Sequence, residues 1–337
     1  MQCGRINVLL HFYGSEEPIL KESFMFAGVL AGITWAVETI VLGIALAMSP
    51  FVSTEQAIVL APFVSTFLHD LFSAVFSWIY NGIRGNLPAF FRALKTRSGK
   101  FVALAAVIGG PVGMTGYVLA VANMGASIGA VASAIFPAIG AVLAYFFLKE
   151  KMQWYRWVFL ILCLAGVYGL YYSPDVNIKN FLLGIVGALL CAFGWGIEAV
   201  IIAKCVQDDA VTDEIALQIR QTTSAVVYGV VLLPIMKGWG FTVSLFSGNG
   251  KLFLFIAIAA LFATASYLFY YRAISQIGAS KSMALNITYS AWAVVFSIIF
   301  LKDTSLLNPV TIICTVVVLV FGILAAADYK DLIKKEK

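Results

Sequence analysis

The chain has 337 residues, of which 61% are hydrophobic and only 12% are charged, and its formal net charge is +5. A soluble globular protein carries about 45–50% apolar and about 25% charged residues. This composition therefore excludes a soluble enzyme, a nucleic-acid-binding protein and a disordered chain. Crossing a bilayer as an α-helix takes about 20 apolar residues, so a chain of this length has room for about ten spans. The apolar runs are long rather than alternating, which excludes a membrane β-barrel.

The hydropathy pattern predicts an all-α polytopic membrane protein with about ten transmembrane helices. In chain order, the predicted helices are residues 24–48, 57–80, 100–122, 127–149, 154–172, 181–204, 213–236, 251–274, 280–300 and 309–327. The remaining predicted parts are an N-terminal cytoplasmic segment (1–23), a linker (173–180) and a basic cytoplasmic tail (328–337). The N-terminal segment lacks the basic start, short apolar run and cleavage site of a signal peptide.

Basic residues concentrate in the loops on one side of the predicted bundle. If the N-terminus is cytoplasmic, the inner loops and tail carry the larger groups of basic residues, which are Arg84, Arg92, Lys95, Arg97 and Lys100, then Lys149, Lys151 and Arg156, then Lys330, Lys334, Lys335 and Lys337. Because positive charge is retained inside, we expect a cytoplasmic-membrane protein with both termini cytoplasmic. The five cysteines form no CxxC pair and there are two histidines, so we expect neither a metal site nor a cofactor.

The two halves of the chain contain similar short segments. Trp35-x-x-Glu38 matches Trp195-x-x-Glu198 at a distance of 160 positions. Two further matches are both 153 positions apart: FFLKE (146–150) with IFLKD (299–303), and Gly-Ala-Ser at 125–127 with Gly-Ala-Ser at 278–280. A repeat of five helices has an odd number of spans, so the second copy inserts upside down. We therefore predict two inverted five-helix repeats, 24–172 and 181–327. Such repeats characterise secondary transporters, whose substrate site lies near the midplane.

Five ionisable residues stand out inside the predicted spans, namely Glu38, His69, Asp70, Glu198 and Arg220. A charged group in hydrocarbon costs about 2.5–3.5 kcal/mol on insertion scales, so it usually faces a cavity or a partner. One interpretation is a buried ion pair between Arg220 and Asp70 or a glutamate; another is that these residues line a transport path, and both can hold together. His69 and Asp70 are neighbours whose side chains point about 100° apart, which makes a poor catalytic pair, and we expect no enzymatic activity.

Aromatic residues accompany these charges. Helix 8 has Tyr267, Tyr270 and Tyr271 at positions i, i+3 and i+4, and helix 9 has Asn286, Tyr289 and Trp292 spaced by three. Trp35 and Trp195 lie inside helices 1 and 6, away from the predicted ends. An aromatic stripe is more often packing than a binding site. Aromatic faces beside carboxylates nevertheless suit a quaternary ammonium ion, which cation–π contacts hold by about 2 kcal/mol or more when desolvated.

The chain resembles the drug/metabolite transporter superfamily, EamA branch, and within it the LicB-type choline permeases. The segments that carry the resemblance are FLHDLFS (67–73), GGPVGM (109–114), SAIFPAI (133–139), WGIEAV (195–200), IRQTTS (219–224), SYLFYY (266–271) and LNITYSAW (285–292). The resemblance implies import of choline through an aromatic cage. It implies Trp35, Trp195, Tyr270, Tyr289 and Trp292 as the cage, with Glu38 and Glu198 as counter-charges.

We therefore expect a secondary transporter that imports choline or a similar quaternary ammonium by alternating access, driven by the membrane potential, with proton coupling left open. Candidate gating or coupling residues are His69, Asp70, Arg220, Tyr267, Tyr271 and Asn286, and candidate bend points are Gly109–Pro111 and Pro137. One alternative is a drug/metabolite-type exporter of amino acids or other small metabolites. Another is a membrane receptor or scaffold that transports nothing.

Overall fold

The computed structural model describes residues 17–327 apart from 126–128, 130, 133, 173–177 and 247–248. Residues 1–16 of the predicted N-terminal segment, residues 173–177 of the predicted linker and the predicted tail at 328–337 lie outside the described residues. The described chain is an all-α polytopic membrane protein. It contains nine helices that are long and apolar enough to cross a bilayer, together with a shorter apolar helix, Phe136–Phe147.

We number the ten membrane helices α1 to α10. They are α1 Glu17–Leu46, α2 Glu55–Ile83, α3 Arg97–Met124, α4 Phe136–Phe147, α5 Trp154–Tyr171, α6 Phe181–Cys205, α7 Asp213–Ile235, α8 Gly250–Ile277, α9 Ala279–Phe300 and α10 Pro309–Ala326. Short helices, Leu87–Ala93 and Trp239–Leu245, lie in the α2–α3 and α7–α8 connections. The chain order and approximate bounds agree with the ten predicted spans.

Side-chain caps start several of these helices close to where the hydropathy pattern places them. The Asn180 side chain accepts a hydrogen bond from Leu183 N at 3.0 Å at the start of α6, and Asn308 accepts one from Thr311 N at 2.9 Å at the start of α10. Each cap satisfies a backbone donor that the first helical turn leaves free. The polar residue before each apolar run therefore sets the helix boundary.

The first helix begins earlier than predicted. We expected it at residue 24, yet α1 begins at Glu17. A proline in the first turn of a helix removes no intrahelical hydrogen bond. The polar sequence before residue 24 therefore continues the helix beyond the apolar span.

Two membrane helices contain a π-helical turn, at Ile108–Val112 in α3 and at Tyr228–Leu232 in α7. The turn in α3 coincides with the candidate bend point Gly109–Pro111, because a proline removes a backbone donor and a π-turn accommodates its loss. Pro137, the other candidate bend point, lies in the first turn of α4. It directly follows a break at residues 134–135 that interrupts the predicted helix 127–149.

The backbone repeats itself at the offset of 153 residues found in the sequence. Gly125 and Gly278 adopt φ angles of 81° and 86°, and Lys149 and Lys302 adopt φ angles of 58° and 55°. Positive φ is costly for a residue with a side chain, so its recurrence at matched positions marks a common backbone plan. The α4 break at 134–135 likewise corresponds to a break in α9 at 287–288.

Helices of one half pack mainly on helices of the other. Helix α1 packs on α8, and its counterpart α6 packs on α3; α2 packs on α7, and α5 packs on α10. When each helix is replaced by its counterpart in the other half, the α2–α7 and α5–α10 pairs are unchanged. The α1–α8 pair becomes α6–α3, which is also observed. This exchange supports the predicted repeat and places the interface between halves at the centre of the bundle, where the charged residues lie.

Candidate functional site

A cavity of about 120 Å³ lies at this central interface. It is lined by α1, α2, α3, α4, α6, α7, α8 and α9. All of the predicted site residues except Trp292 line it, namely Trp35, Glu38, His69, Asp70, Trp195, Glu198, Arg220, Tyr267, Tyr270, Tyr271, Asn286 and Tyr289. Residues from both halves of the chain thus converge on one space.

Trp35 is the centre of an aromatic group on one wall of the cavity. Its ring meets Tyr267 at a centroid distance of 5.1 Å with the planes at 89°, and Tyr289 at 6.4 Å with the planes at 73°. Edge-to-face rings at these distances attract one another. The three rings come from α1, α8 and α9, so only the tertiary fold brings them together.

The second repeat-related tryptophan, Trp195, is held in place on the other side. Its Nε1 donates a hydrogen bond to Gly109 O at 3.1 Å, and its ring meets the edge of Phe136 at a centroid distance of 5.5 Å. Phe136 lines the cavity but was not among the predicted site residues. Its position directly after the α4 break, in a segment that carried the family resemblance, is the signal that was available.

Arg220 forms a buried ion pair with two acids, which confirms the first interpretation of these charges. Its Nε lies 2.9 Å from Glu198 Oε1, and its Nη1 lies 3.5 Å from Asp70 Oδ2. The guanidinium also lies over the Tyr267 ring, 4.7 Å from the centroid. Glu198, which was predicted as a counter-charge for a ligand, lines the cavity, and its carboxylate also binds Arg220. An uncompensated buried guanidinium would be costly.

Hydroxyl groups hold the same two acids. Ser224 Oγ donates to Asp70 Oδ2 at 2.5 Å, and Tyr271 donates to Glu198 Oε1 at 3.3 Å. Sequence analysis did not select Ser224, although it lies four residues after Arg220 and so on the same face of α7. These hydrogen bonds orient the two carboxylates towards Arg220.

His69 bridges two carboxylates. Its Nδ1 lies 3.0 Å from Asp70 Oδ1, and its Nε2 lies 3.5 Å from Glu38 Oε1. The expectation that His69 and its neighbour Asp70 point apart was wrong, because rotation of the two side chains brings their ends together despite the angle between their Cβ directions. Glu38 is thus the one cavity acid that no guanidinium contacts in the described structure.

Gly109 makes room for the ion pair. A Cβ atom on this residue would lie 1.8 Å from Glu198 Oε2, and one on the adjacent Gly110 would lie 2.5 Å from Ser224 Oγ. Both glycines belong to the π-helical turn of α3. The turn and its missing side chains allow the charged side chains of α6 and α7 to approach the α3 backbone.

Trp292 lies outside the cavity, contrary to prediction. Its ring stacks on Phe296 at a centroid distance of 6.1 Å. Three residues along a helix amount to about 4.5 Å of rise and about 60° of rotation, so Trp292 lies beyond the edge of the cavity that Tyr289 reaches. Asn286 and Tyr289 both line the cavity although α9 is interrupted between them at 287–288, so the spacing of three fails only at Trp292.

The charges on the cavity wall are unbalanced. Glu38, Asp70 and Glu198 are three carboxylates, and Arg220 is the matching guanidinium; His69 adds a positive charge only when it is protonated. Carboxylates therefore outnumber guanidinium groups among the described residues of the cavity wall. Among the described residues, no group of histidine, cysteine, aspartate and glutamate side chains is placed to hold a metal ion.

A bundle of apolar helices around a central cavity lined by buried charges and aromatic rings defines a membrane transport protein. The model of the EamA-like transporter family matches the chain twice, at residues 23–172 and 182–326. The chain therefore belongs to the EamA-like transporter family. The two matched segments begin and end close to the two predicted repeats.

Three curated proteins are similar to this chain. It is 29% identical to Protein LicB of Haemophilus influenzae over 231 residues, which cover 68% of this chain and 75% of that protein. It is 27% and 26% identical to the S-adenosylmethionine uptake transporters of Rickettsia felis and Rickettsia bellii, in each case over 72% of this chain and 85% and 86% of the relative. These relatives are all proteins of small-molecule uptake or of the same transporter superfamily.

The fold also matches a known crystal structure of a protein that is 15% identical in sequence. The TM-score is 0.65, and the match covers 94% of this chain and 98% of that chain. At this level of identity, the match establishes the fold of the bundle and nothing about its ligand.

Proposed function

We propose that this protein imports choline or a similar quaternary ammonium ion across the cytoplasmic membrane. The observation that carries the proposal is the cavity itself, in which the rings of Trp35, Trp195 and Tyr289 surround a space bordered by Glu38. A quaternary ammonium has no N–H group to donate, so aromatic faces and a carboxylate are the groups that recognise it. The orientation with both termini in the cytoplasm belongs to the same proposal.

The charge of the cavity supports a cationic substrate. Among the described residues of the wall, Arg220 carries the one guanidinium, and Glu198 and Asp70 already contact it. An anionic substrate would have to compete with two carboxylates for that guanidinium. A cation, by contrast, meets Glu38 and the aromatic faces without breaking the ion pair.

The relatives from Rickettsia suggest a second candidate substrate, S-adenosylmethionine, whose sulfonium group is also an alkylated cation. The aromatic rings and Glu38 on the cavity wall suit both cations. The binding test described below compares the two directly.

The membrane potential is sufficient to drive import of a monovalent cation. Moving one charge inward gains about 2.3 kcal/mol per 100 mV, which corresponds to roughly fiftyfold accumulation. Alternating access of the two halves around the central cavity is the expected mechanism. The interface between halves, where α1 meets α8 and α3 meets α6, is where this rearrangement would occur.

The test is ligand binding followed by flux. Purified protein is screened by thermal shift against choline, S-adenosylmethionine and amino acids, because a ligand stabilises the state that it binds. Choline is then supplied as a radiolabelled substrate to proteoliposomes with an inside-negative potential. Accumulation inside supports the proposal. A shift with amino acids alone indicates an exporter of metabolites, and binding without flux indicates a receptor; either result refutes choline import.

Proton coupling is tested in the same vesicles. His69 lies between Glu38 and Asp70, an arrangement that holds a proton between two carboxylates and motivates the hypothesis of proton symport. At a clamped membrane potential, a pH gradient that is acidic outside should then increase choline uptake. Uptake that ignores the pH gradient refutes symport and leaves a uniporter driven by the potential alone.

A further inference from the structure

The Oδ1 atom of Asn286 is buried without a hydrogen-bond partner among the described residues, although the residue lines the cavity and is partly exposed. Two other uncharged side chains on the wall do have partners: Thr66 donates to Pro62 O at 2.7 Å, and Ser266 donates to Ala31 O at 2.8 Å. A buried acceptor without a partner is costly. Because Asn286 is partly exposed, a rotation of its side chain would bring the carboxamide to a ligand that supplies a hydrogen bond.

The backbone holds Asn286 firmly at that place. It is the last residue of the first segment of α9, directly before the break at 287–288. Across the break, Thr288 Oγ1 donates to Leu285 O at 2.6 Å, and Ile287 N donates to Met283 O at 3.1 Å. These bonds hold the backbone on both sides of Asn286, and Tyr289 of the aromatic group follows three residues later.

Building on the proposed function, we infer that Asn286 is a specificity-determining residue that binds the hydroxyl group of the substrate. The trimethylammonium end of choline offers no hydrogen-bond donor, and the hydroxyl at its other end offers one. A hydroxyl both donates and accepts, so it satisfies the carboxamide in either of its two flipped orientations. The aromatic group then recognises the charge, and Asn286 recognises the alcohol.

The inference predicts discrimination between two cations of nearly equal shape. Propyltrimethylammonium carries a methyl group where choline has its hydroxyl. A site that hydrogen-bonds a hydroxyl rejects the analogue that lacks it, because its own buried polar group stays unpaired. We expect the wild-type protein to bind choline about tenfold more tightly than propyltrimethylammonium.

The test is calorimetric titration of both cations into purified wild-type protein and into the Asn286→Leu variant. In the variant, the two affinities should fall within about twofold of each other, with propyltrimethylammonium bound as well as by the wild type; that retained binding also shows that the variant is folded. The matched control is Asn123→Leu, since Asn123 donates to Leu119 O at the end of α3 and does not line the cavity. It should keep the wild-type preference.

The outcomes separate this inference from the proposed function. If wild type binds both cations equally, or if Asn286→Leu keeps the wild-type preference, Asn286 does not read the hydroxyl, although the cation site stands. If wild type binds neither cation, the proposed function fails and the inference fails with it. Should Asn286→Leu not fold, the comparison is repeated with Asn286→Ala, and the wild-type affinity ratio alone still refutes the inference when it is close to one.

Discussion

Gly109 offers the sharpest test of how the ion pair is built. In the variant Gly109→Ala, the new Cβ would lie 1.8 Å from Glu198 Oε2 and 2.4 Å from Glu198 Cδ. Contacts that short do not exist, so the carboxylate of Glu198 must move away. Because Glu198 Oε1 lies 2.9 Å from Arg220 Nε, the displacement weakens the central ion pair.

The expected change in the free energy of unfolding of Gly109→Ala follows from two opposing effects. Alanine is preferred over glycine inside a helix by about 0.5–1 kcal/mol. Overpacking a filled interior costs about 1–3 kcal/mol, and removing a partner from a buried ion pair costs about 3–5 kcal/mol. The clash should therefore prevail, and we expect Gly109→Ala to be less stable than wild type by about 1–3 kcal/mol if the pair is loosened but not broken.

The assay compares this variant with Gly43→Ala by thermal unfolding and by choline titration. Gly43 is exposed on α1, and a Cβ there would have no atom within 4 Å, so its replacement should leave stability equal or slightly higher. Gly109→Ala should unfold at a lower temperature and bind choline at least about tenfold more weakly, since Glu198 borders the cavity. Wild-type stability and wild-type choline affinity in Gly109→Ala would refute the geometry described for Glu198.

Three further predictions address the aromatic wall, the helix cap and an ion outside the membrane. Trp195→Ala should abolish choline binding because Trp195 lines the cavity, whereas Trp292→Ala should leave the affinity unchanged because Trp292 lies outside it; equal losses in calorimetry would contradict this placement. Glu150→Ala should lower the free energy of unfolding by about 1 kcal/mol. The reason is that the Glu150 carboxylate accepts hydrogen bonds from Ala279 N at 2.9 Å and Ser280 N at 3.0 Å at the start of α9. The control, Lys151→Ala, removes an exposed side chain, and equal unfolding temperatures of the two variants would rule out the cap. Hydrogen bonds from Ser98 Oγ and Ala210 N hold the pKa of Asp208 below its ordinary value, so Asp208 contributes stability that is present at neutral pH and lost as the pH falls through its lowered pKa. Ser98→Ala should shrink this loss on acidification, and an unchanged pH dependence of unfolding would show that the hydrogen bond is absent.

The order of the membrane helices followed from composition alone. A bilayer forces each span to satisfy its own backbone hydrogen bonds as a helix, so apolar runs and their polar flanks predict the elements with little help from tertiary contacts. The repeat was also visible in short matched segments such as FFLKE and IFLKD. The lysines of these segments, Lys149 and Lys302, share a positive φ in the structure, so the matched sequences have matched local backbone geometry.

The candidate site was predicted as a set of residue types, and all of the predicted residues except Trp292 line one cavity. Charges in the middle of apolar spans are costly, so they had to face an interior space or a partner. What this reasoning could not assign was the partner of each charge. It treated Glu198 as a counter-charge for a ligand, and it missed Ser224 and Phe136, whose types are common in membrane helices.

Only the tertiary structure decided which of these groups contact one another and which line the cavity. Helix breaks at 134–135 and 287–288 interrupt the predicted helices 4 and 9, and the packing places Phe136 at the cavity and Trp292 outside it. The packing of α3, α6 and α7 brings the Glu198 carboxylate into contact with Arg220, whereas Glu38 contacts His69. Such pairings depend on distances between helices far apart in the chain, and periodicity within a single helix carries no information about them.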